Sequence, residues 1–129
     1  MTKRKAEEIW KDIYGDIKFV KDFHGNYMYF YAYGKDNYAK KIGGVKIYCG
    51  WNIDHVLAKS RGGSSNKSNL IPTNIQTNRA KADKSTFRID NALYQVRKKD
   101  NGYSNRCHRC DSDDPNRDSD KDSLCYRRG

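Results

Sequence analysis

The chain has no apolar run long enough to cross a bilayer. The longest, Tyr27–Tyr33, is mostly tyrosine and falls far short of the roughly 20 residues a spanning helix needs. Hydrophobic residues are scarce overall, at 36% with a mean hydropathy of −1.09, so any core is small. Ten Tyr and two Trp offset that scarcity in part, because each fills much volume and can keep a polar end at the surface. The N-terminal stretch MTKRKAEEIWKD carries no apolar segment of the signal-peptide kind. An intracellular, cytoplasmic protein with reduced thiols is therefore expected.

Acidic residues are also scarce over most of the chain. Residues 1–110 carry 22 Lys and Arg against 10 Asp and Glu, whereas residues 111–122 (DSDDPNRDSDKD) carry six Asp against Arg117 and Lys121. The net charge is +10, and a body this basic is expected to attract nucleic acid; a membrane surface is the weaker reading. The length of 129 residues fits one domain over 1–106 with a Cys-containing acidic tail over 107–129.

Residues 3–14 read as a short helix stopped by Gly15, with Ile9, Trp10, Ile13 and Tyr14 as its apolar face. IKFVKDF and YMYFYAY flank His24-Gly25-Asn26 as an antiparallel hairpin, and Gly34–Asn37 close the second strand. Gly43-Gly44 precedes a third strand, VKIYC, which continues through Trp51–His55. Ala58–Ser68 is a polar turn region and Asn69–Ile71 a short strand. A helix capped by Thr73 then runs to about Asp83. TFRIDNALYQVRKKDNGYSNR alternates and carries turn signals, which favours a β-meander over a helix across Asp90–Lys99. Tyr27, Tyr29, Tyr31 and Tyr33 fall on one strand face, where cross-strand packing is favoured over stacking on unpaired bases.

The chemistry-bearing residues are concentrated between Trp51 and Ser85: Asp54-His55, then Asn69, then Asn78. An acid beside a base of neutral-pH character, with a second oxygen ligand further on, is what metal-assisted phosphodiester hydrolysis needs. Arg61, Arg79, Lys81 and Lys84 are candidate phosphate contacts around them.

In order, spacing and turn context, IDHVLAKSRGG, SNL and TNRAKADKS resemble the HNH endonucleases, the ββα-metal or His-metal-finger nucleases, in an H-N-N variant. The resemblance spans roughly residues 47–85. It implies a ββα-metal unit, and with the additional antiparallel β-strands and short N-terminal helix read from the residues the expected fold is α+β. It implies His55 as the general base that takes a proton from water, and Asp54 and Asn78 as ligands of a catalytic Mg²⁺ or Mn²⁺. Asn69 would fix the loop and help orient the base. The implied activity is a divalent-metal-dependent DNA endonuclease acting on double-stranded DNA. One carboxylate and one amide oxygen leave much of the metal's shell to water and phosphate, as suits Mg²⁺. The rival readings are a non-catalytic nucleic-acid-binding module and an RNA-directed nuclease using the same site.

Two geometric demands follow. Adjacent strand residues point to opposite faces, so the strand must end or twist at His55 for Asp54 and His55 to serve one phosphate. The zinc-supported form of the family carries a Cys pair before Asp-His and another before the third ligand. Here Cys49 stands alone near the first location, and Asn74 and Thr77 near the second. Other packing must then hold the hairpin and helix. Farther on, Cys107, Cys110 and Cys125 read as a structural zinc site with His108 or Cys49 as fourth ligand, or as free thiols or an oxidised disulfide.

Overall fold

The structure, a computed structural model, describes residues 1–107. His108, Cys110, Cys125 and the acidic stretch 111–122 lie outside the described residues.

The chain opens with α1 (Lys3–Tyr14), started by Thr2, whose hydroxyl accepts the Lys5 N–H at 3.2 Å. It is stopped by Gly15, whose φ of 63° lets its N–H close on the Lys11 carbonyl at 2.9 Å. The buried stripe is Ala6, Ile9 and Trp10, an i, i+3, i+4 set. Ile13, expected on that face, is instead 47% exposed, and Tyr14 is half-buried against the Trp10 ring.

The hairpin of β1 (Phe19–Lys21) and β2 (Tyr27–Tyr29) forms where alternation placed it, but it is short. Phe30–Ala32 turn into a 3-10 helix that buries Phe30 and Ala32, so Tyr31 and Tyr33 leave the strand face expected for them. Burial of Phe30 against Trp10 and Trp51 overrides the local period of two.

Next, β3 (Ala39–Ile42) pairs with β4 (Val45–Tyr48). Gly43 and Gly44 both have positive φ (59° and 81°), the requirement of a tight two-residue hairpin. β3 is not expected from the sequence, since Ala-Lys-Lys-Ile carries little strand propensity. β4 does not continue into the next strand as expected, because Cys49 and Gly50 separate them. A Cβ at Gly50 would lie 1.9 Å from the Lys35 carbonyl oxygen, so only glycine lets these backbones cross.

β5 (Trp51–His55) pairs antiparallel with β6 (Leu70–Asn74), placing Trp51 opposite Asn74, Asp54 opposite Ile71 and His55 opposite Leu70. Asn69 precedes β6 instead of opening it, and the strand passes through Pro72 on its way to Asn74. The helix α2 (Ile75–Lys81) follows at once. Its cap is Asn74, not Thr73: the Asn74 Oδ1 accepts the Gln76 N–H at 2.8 Å. It ends at Ala82, with φ 54°, short of Asp83. α2 packs on both strands of the hairpin.

The expected meander forms as β7 (Thr86–Ile89), β8 (Ala92–Lys99) and β9 (Gly102–Cys107). Its inner face joins Phe23, Phe87, Ile89, Ala92, Tyr94 and Cys107 in one apolar cluster, while Ala6, Trp10, Met28, Phe30 and Trp51 make a second. The fold is α+β, and no helix among the described residues is long and apolar enough to cross a membrane.

Candidate active site

A buried polar network holds the β5–β6 hairpin and α2 in place. The Asp22 Oδ1 accepts the backbone N–H groups of His24, Gly25 and Asn26 at 3.0, 3.0 and 2.9 Å, shaping the β1–β2 turn. Its Oδ2 accepts the Asn74 N–H at 3.0 Å, tying that turn to the start of α2. The Asn74 Nδ2 donates to the carbonyls of Tyr27 and Tyr48 at 2.8 and 3.0 Å, and Asn26 Nδ2 donates to Thr77 Oγ1 at 2.7 Å. Asn74 and Thr77 are thus both held by hydrogen bonds. Each such bond contributes about 1 kcal/mol while made, and leaving a buried partner unpaired costs about 1–3 kcal/mol.

The loop from β5 to β6 is organised by Asn69, which is 1% exposed. Its Oδ1 accepts the Leu57 N–H at 2.8 Å, and its Nδ2 donates to the carbonyls of Leu57 and Ser64 at 2.9 and 2.8 Å. An amide alone among side chains of this size supplies an acceptor and two donors at once. The glycines of the loop do different work. Gly62 has φ 96°, open to glycine, while a Cβ at Gly63 would stand 1.7 Å from the Leu57 carbonyl oxygen.

β5 ends at His55, as the site required. Asp54 faces α2 and is buried, with its Oδ2 2.6 Å from Lys81 Nζ. His55 is half-buried, and its Nε2 lies 3.3 Å from Ser65 Oγ on the loop. Asn78, on α2, donates from Nδ2 to the Asn52 Oδ1 at 2.6 Å. Asp54, His55 and Asn78 nevertheless line one open cavity of about 230 Å³, whose wall also includes Lys59 and Asp83. The end of the strand lets neighbours of opposite orientation share that wall.

Burial pushes the Asp54 carboxyl up from its ordinary range, against the opposing pull of Lys81 and a hydrogen bond from Asn105. The Lys81 ammonium is pushed down by the same desolvation, against the attraction of Asp54. Both directions say that leaving water costs these charges more than their pairing returns. For His55, partial burial and then the Lys59 charge lower the imidazole pKa, with Asp54 opposing. The neutral, basic imidazole is therefore favoured near pH 7.

Among the expected phosphate contacts, Arg61, Arg79 and Lys84 are exposed. Arg61 Nε donates to the Asp83 carbonyl at 2.7 Å, and Arg79 pairs with Asp36 at 3.0 Å. Lys81 is a correction: it is fully buried, and its ammonium binds Asp54, the Val56 carbonyl at 2.7 Å and the His55 carbonyl at 3.4 Å. It braces the end of β5 and does not reach a ligand in solvent. Its position three residues after Asn78 on the same helix was the available signal. Asn52 and Asn105 had no signal in the sequence, because pairing across the fold gives them their roles. The Asn105 Oδ1 is buried with no hydrogen-bond partner among the described residues.

Among the described residues, no group of three or more His, Cys, Asp and Glu side chains is placed to hold a metal ion. Cys49 and Cys107 are buried and form no disulfide among the described residues, and Cys107 packs against the aromatic cluster of the meander. No family model, curated protein or solved structure matches this chain.

Proposed function

We propose that the chain is a divalent-metal-dependent DNA endonuclease built on a ββα-metal unit formed by β5, β6 and α2. The observation that carries this reading is the shared cavity: Asp54, His55 and Asn78, distant in part along the chain, line one wall. The chain's net charge of +10 suits a polyanionic substrate.

The donor set fits Mg²⁺ or Mn²⁺, since a carboxylate and an amide oxygen are the hard ligands such ions take. A carboxylate offers two oxygens and about four acceptor sites, so the bond from Lys81 does not exhaust Asp54. When bound, the cation would supply Lewis-acid stabilisation of the charge that develops at the phosphate.

His55 takes the proton from the attacking water, a role suited to its lowered pKa. Asn69 fixes the loop that starts two residues after His55, through Leu57, and so positions the base without touching substrate. Lys81 fixes the Asp54 carboxylate and the carbonyls that follow it. Arg61, Arg79 and Lys84 are exposed and would meet phosphates, and such contacts orient a duplex without reading its sequence.

Plasmid cleavage with added Mg²⁺ or Mn²⁺ tests the proposal. Nicked or linear product is expected, abolished by chelator and by His55→Ala or Asn78→Ala while DNA binding persists. Undiminished cleavage by purified His55→Ala overturns it. Binding without any cleavage points to a non-catalytic nucleic-acid-binding module, and cleavage of structured RNA alone points to an RNA-directed nuclease.

A further inference from the structure

We infer that the β1–β2 hairpin and its neighbours form a second nucleic-acid surface that takes an unpaired strand, bases against tyrosine rings and phosphates against lysines. This surface is distinct from the cavity of Asp54 and His55, and binding to it does not require that cavity to be catalytic.

The rings form one connected surface chain. Tyr27 stacks on Phe19 with centroids 4.9 Å apart, and Phe19 meets Tyr29 at 6.4 Å. Tyr29 in turn contacts Tyr31 at 5.5 Å and stacks on Tyr38 at 5.6 Å. None of the five is buried, and Tyr31 is 52% exposed. Packing alone would account for rings sealed beneath a neighbour; these are left partly open to solvent along their length. Departure of Tyr31 from the strand into the 3-10 turn is what brings it to the surface beside Tyr29.

The lysines are interleaved with the rings. Lys40 Nζ lies 4.1 Å from the Tyr29 centroid and 5.9 Å from that of Tyr38; Lys18 Nζ lies 5.8 Å from Tyr31, and Lys21 Nζ 5.1 Å from Tyr27. From Lys18 to Cys49 the chain carries only two acids, and both are committed elsewhere. Asp22 is buried under backbone N–H groups, and Asp36 is paired with Arg79. Within residues 18–49 lysines therefore outnumber acids. Rings for bases beside cations for phosphates is the arrangement that binds single strands with little sequence preference. Bases in a duplex already stack on one another and offer the rings nothing to cover.

The test is fluorescence anisotropy with labelled oligothymidylate and oligouridylate of about 12 nucleotides and a duplex of equal length, in chelator so that nothing is cut. Single-strand binding should depend on these rings while duplex binding does not, and the DNA and RNA arms identify which sugar is preferred. Tyr31→Ala and Tyr38→Ala should each weaken single-strand binding by about tenfold, with Tyr38→Phe binding as the parent does because it keeps the ring. Lys40→Gln should reduce the dependence of log affinity on log salt by about 0.7. Duplex binding weakened as much as single-strand binding by Tyr31→Ala and Tyr38→Ala, or unchanged single-strand binding by the double variant, overturns the inference. Neither result bears on plasmid cleavage at the cavity, so the two readings fail separately.

Discussion

Lys81 Nζ lies 2.6 Å from Asp54 Oδ2, and both side chains are withdrawn from solvent, at 0% and 5% exposure. The pair joins the last turn of α2 to the end of β5, next to the residue proposed as the base. A buried pair of this kind contributes little net stability, but losing one partner is severe because the other charge is stranded.

Lys81→Met should therefore destabilise the domain by about 3–5 kcal/mol, read by urea or thermal unfolding. Adding Asp54→Leu to it should recover most of that loss while leaving no activity. A double variant as unstable as Lys81→Met alone would show that the cost came from packing and not from the stranded carboxylate.

Asn69→Asp keeps the shape of the side chain but removes both Nδ2 donors and places a charge where burial disfavours it. A loss of about 2–3 kcal/mol is expected, with faster amide hydrogen exchange confined to the 57–65 loop. Cleavage should fall with little change in DNA affinity, as a positioning residue requires.

The pH profile follows from His55, whose folded pKa lies below the ordinary 6.5 through desolvation first and Lys59 second. A depressed pKa means that the neutral base persists as pH falls, so the acid limb of cleavage should lie below pH 6.5. In stability terms, the contribution is present above the unfolded value and is lost as pH falls through the folded one. Lys59→Gln should move the limb upward, toward the ordinary value. A limb above pH 6.5 in the parent would contradict the assignment of His55 as the base.

Metal binding should be visible without any substrate. At about 100 times its dissociation constant, Mg²⁺ should stabilise the fold by ~2.7 kcal/mol, reversed by chelator. In Asn78→Ala the metal-dependent part of the shift should shrink, whatever the variant does to the metal-free midpoint through its lost bond to Asn52. Equal metal-dependent shifts in parent and variant would remove Asn78 from the ligand set.

Much of this architecture was legible in residue order. The N-terminal helix, the first hairpin, the strand at Trp51–His55 and the C-terminal meander all carry local signals: caps, turn glycines and alternation. The failures also have local causes. Lys40 and Lys41 conceal β3, Phe30 breaks the tyrosine alternation by seeking the Trp10 and Trp51 cluster, and Asn74 outcompetes Thr73 as the helix cap.

The sequence alone determined which residues are available for chemistry: an Asp-His pair and two asparagines at fixed intervals, in a chain of net charge +10. Only the tertiary structure decided which of these meet. Asp54, His55 and Asn78 come to one cavity because β5 ends at His55 and α2 folds back across the hairpin. Lys81 is turned from a surface cation into a buried brace because its helix face points at Asp54. Asp22, Asn69 and Asn74 hold the β1–β2 turn, the β5–β6 loop and the start of α2 by hydrogen bonds to backbone groups. Such bonds have no sequence pattern, because each partner is chosen by where the chain returns in space and not by its spacing along it.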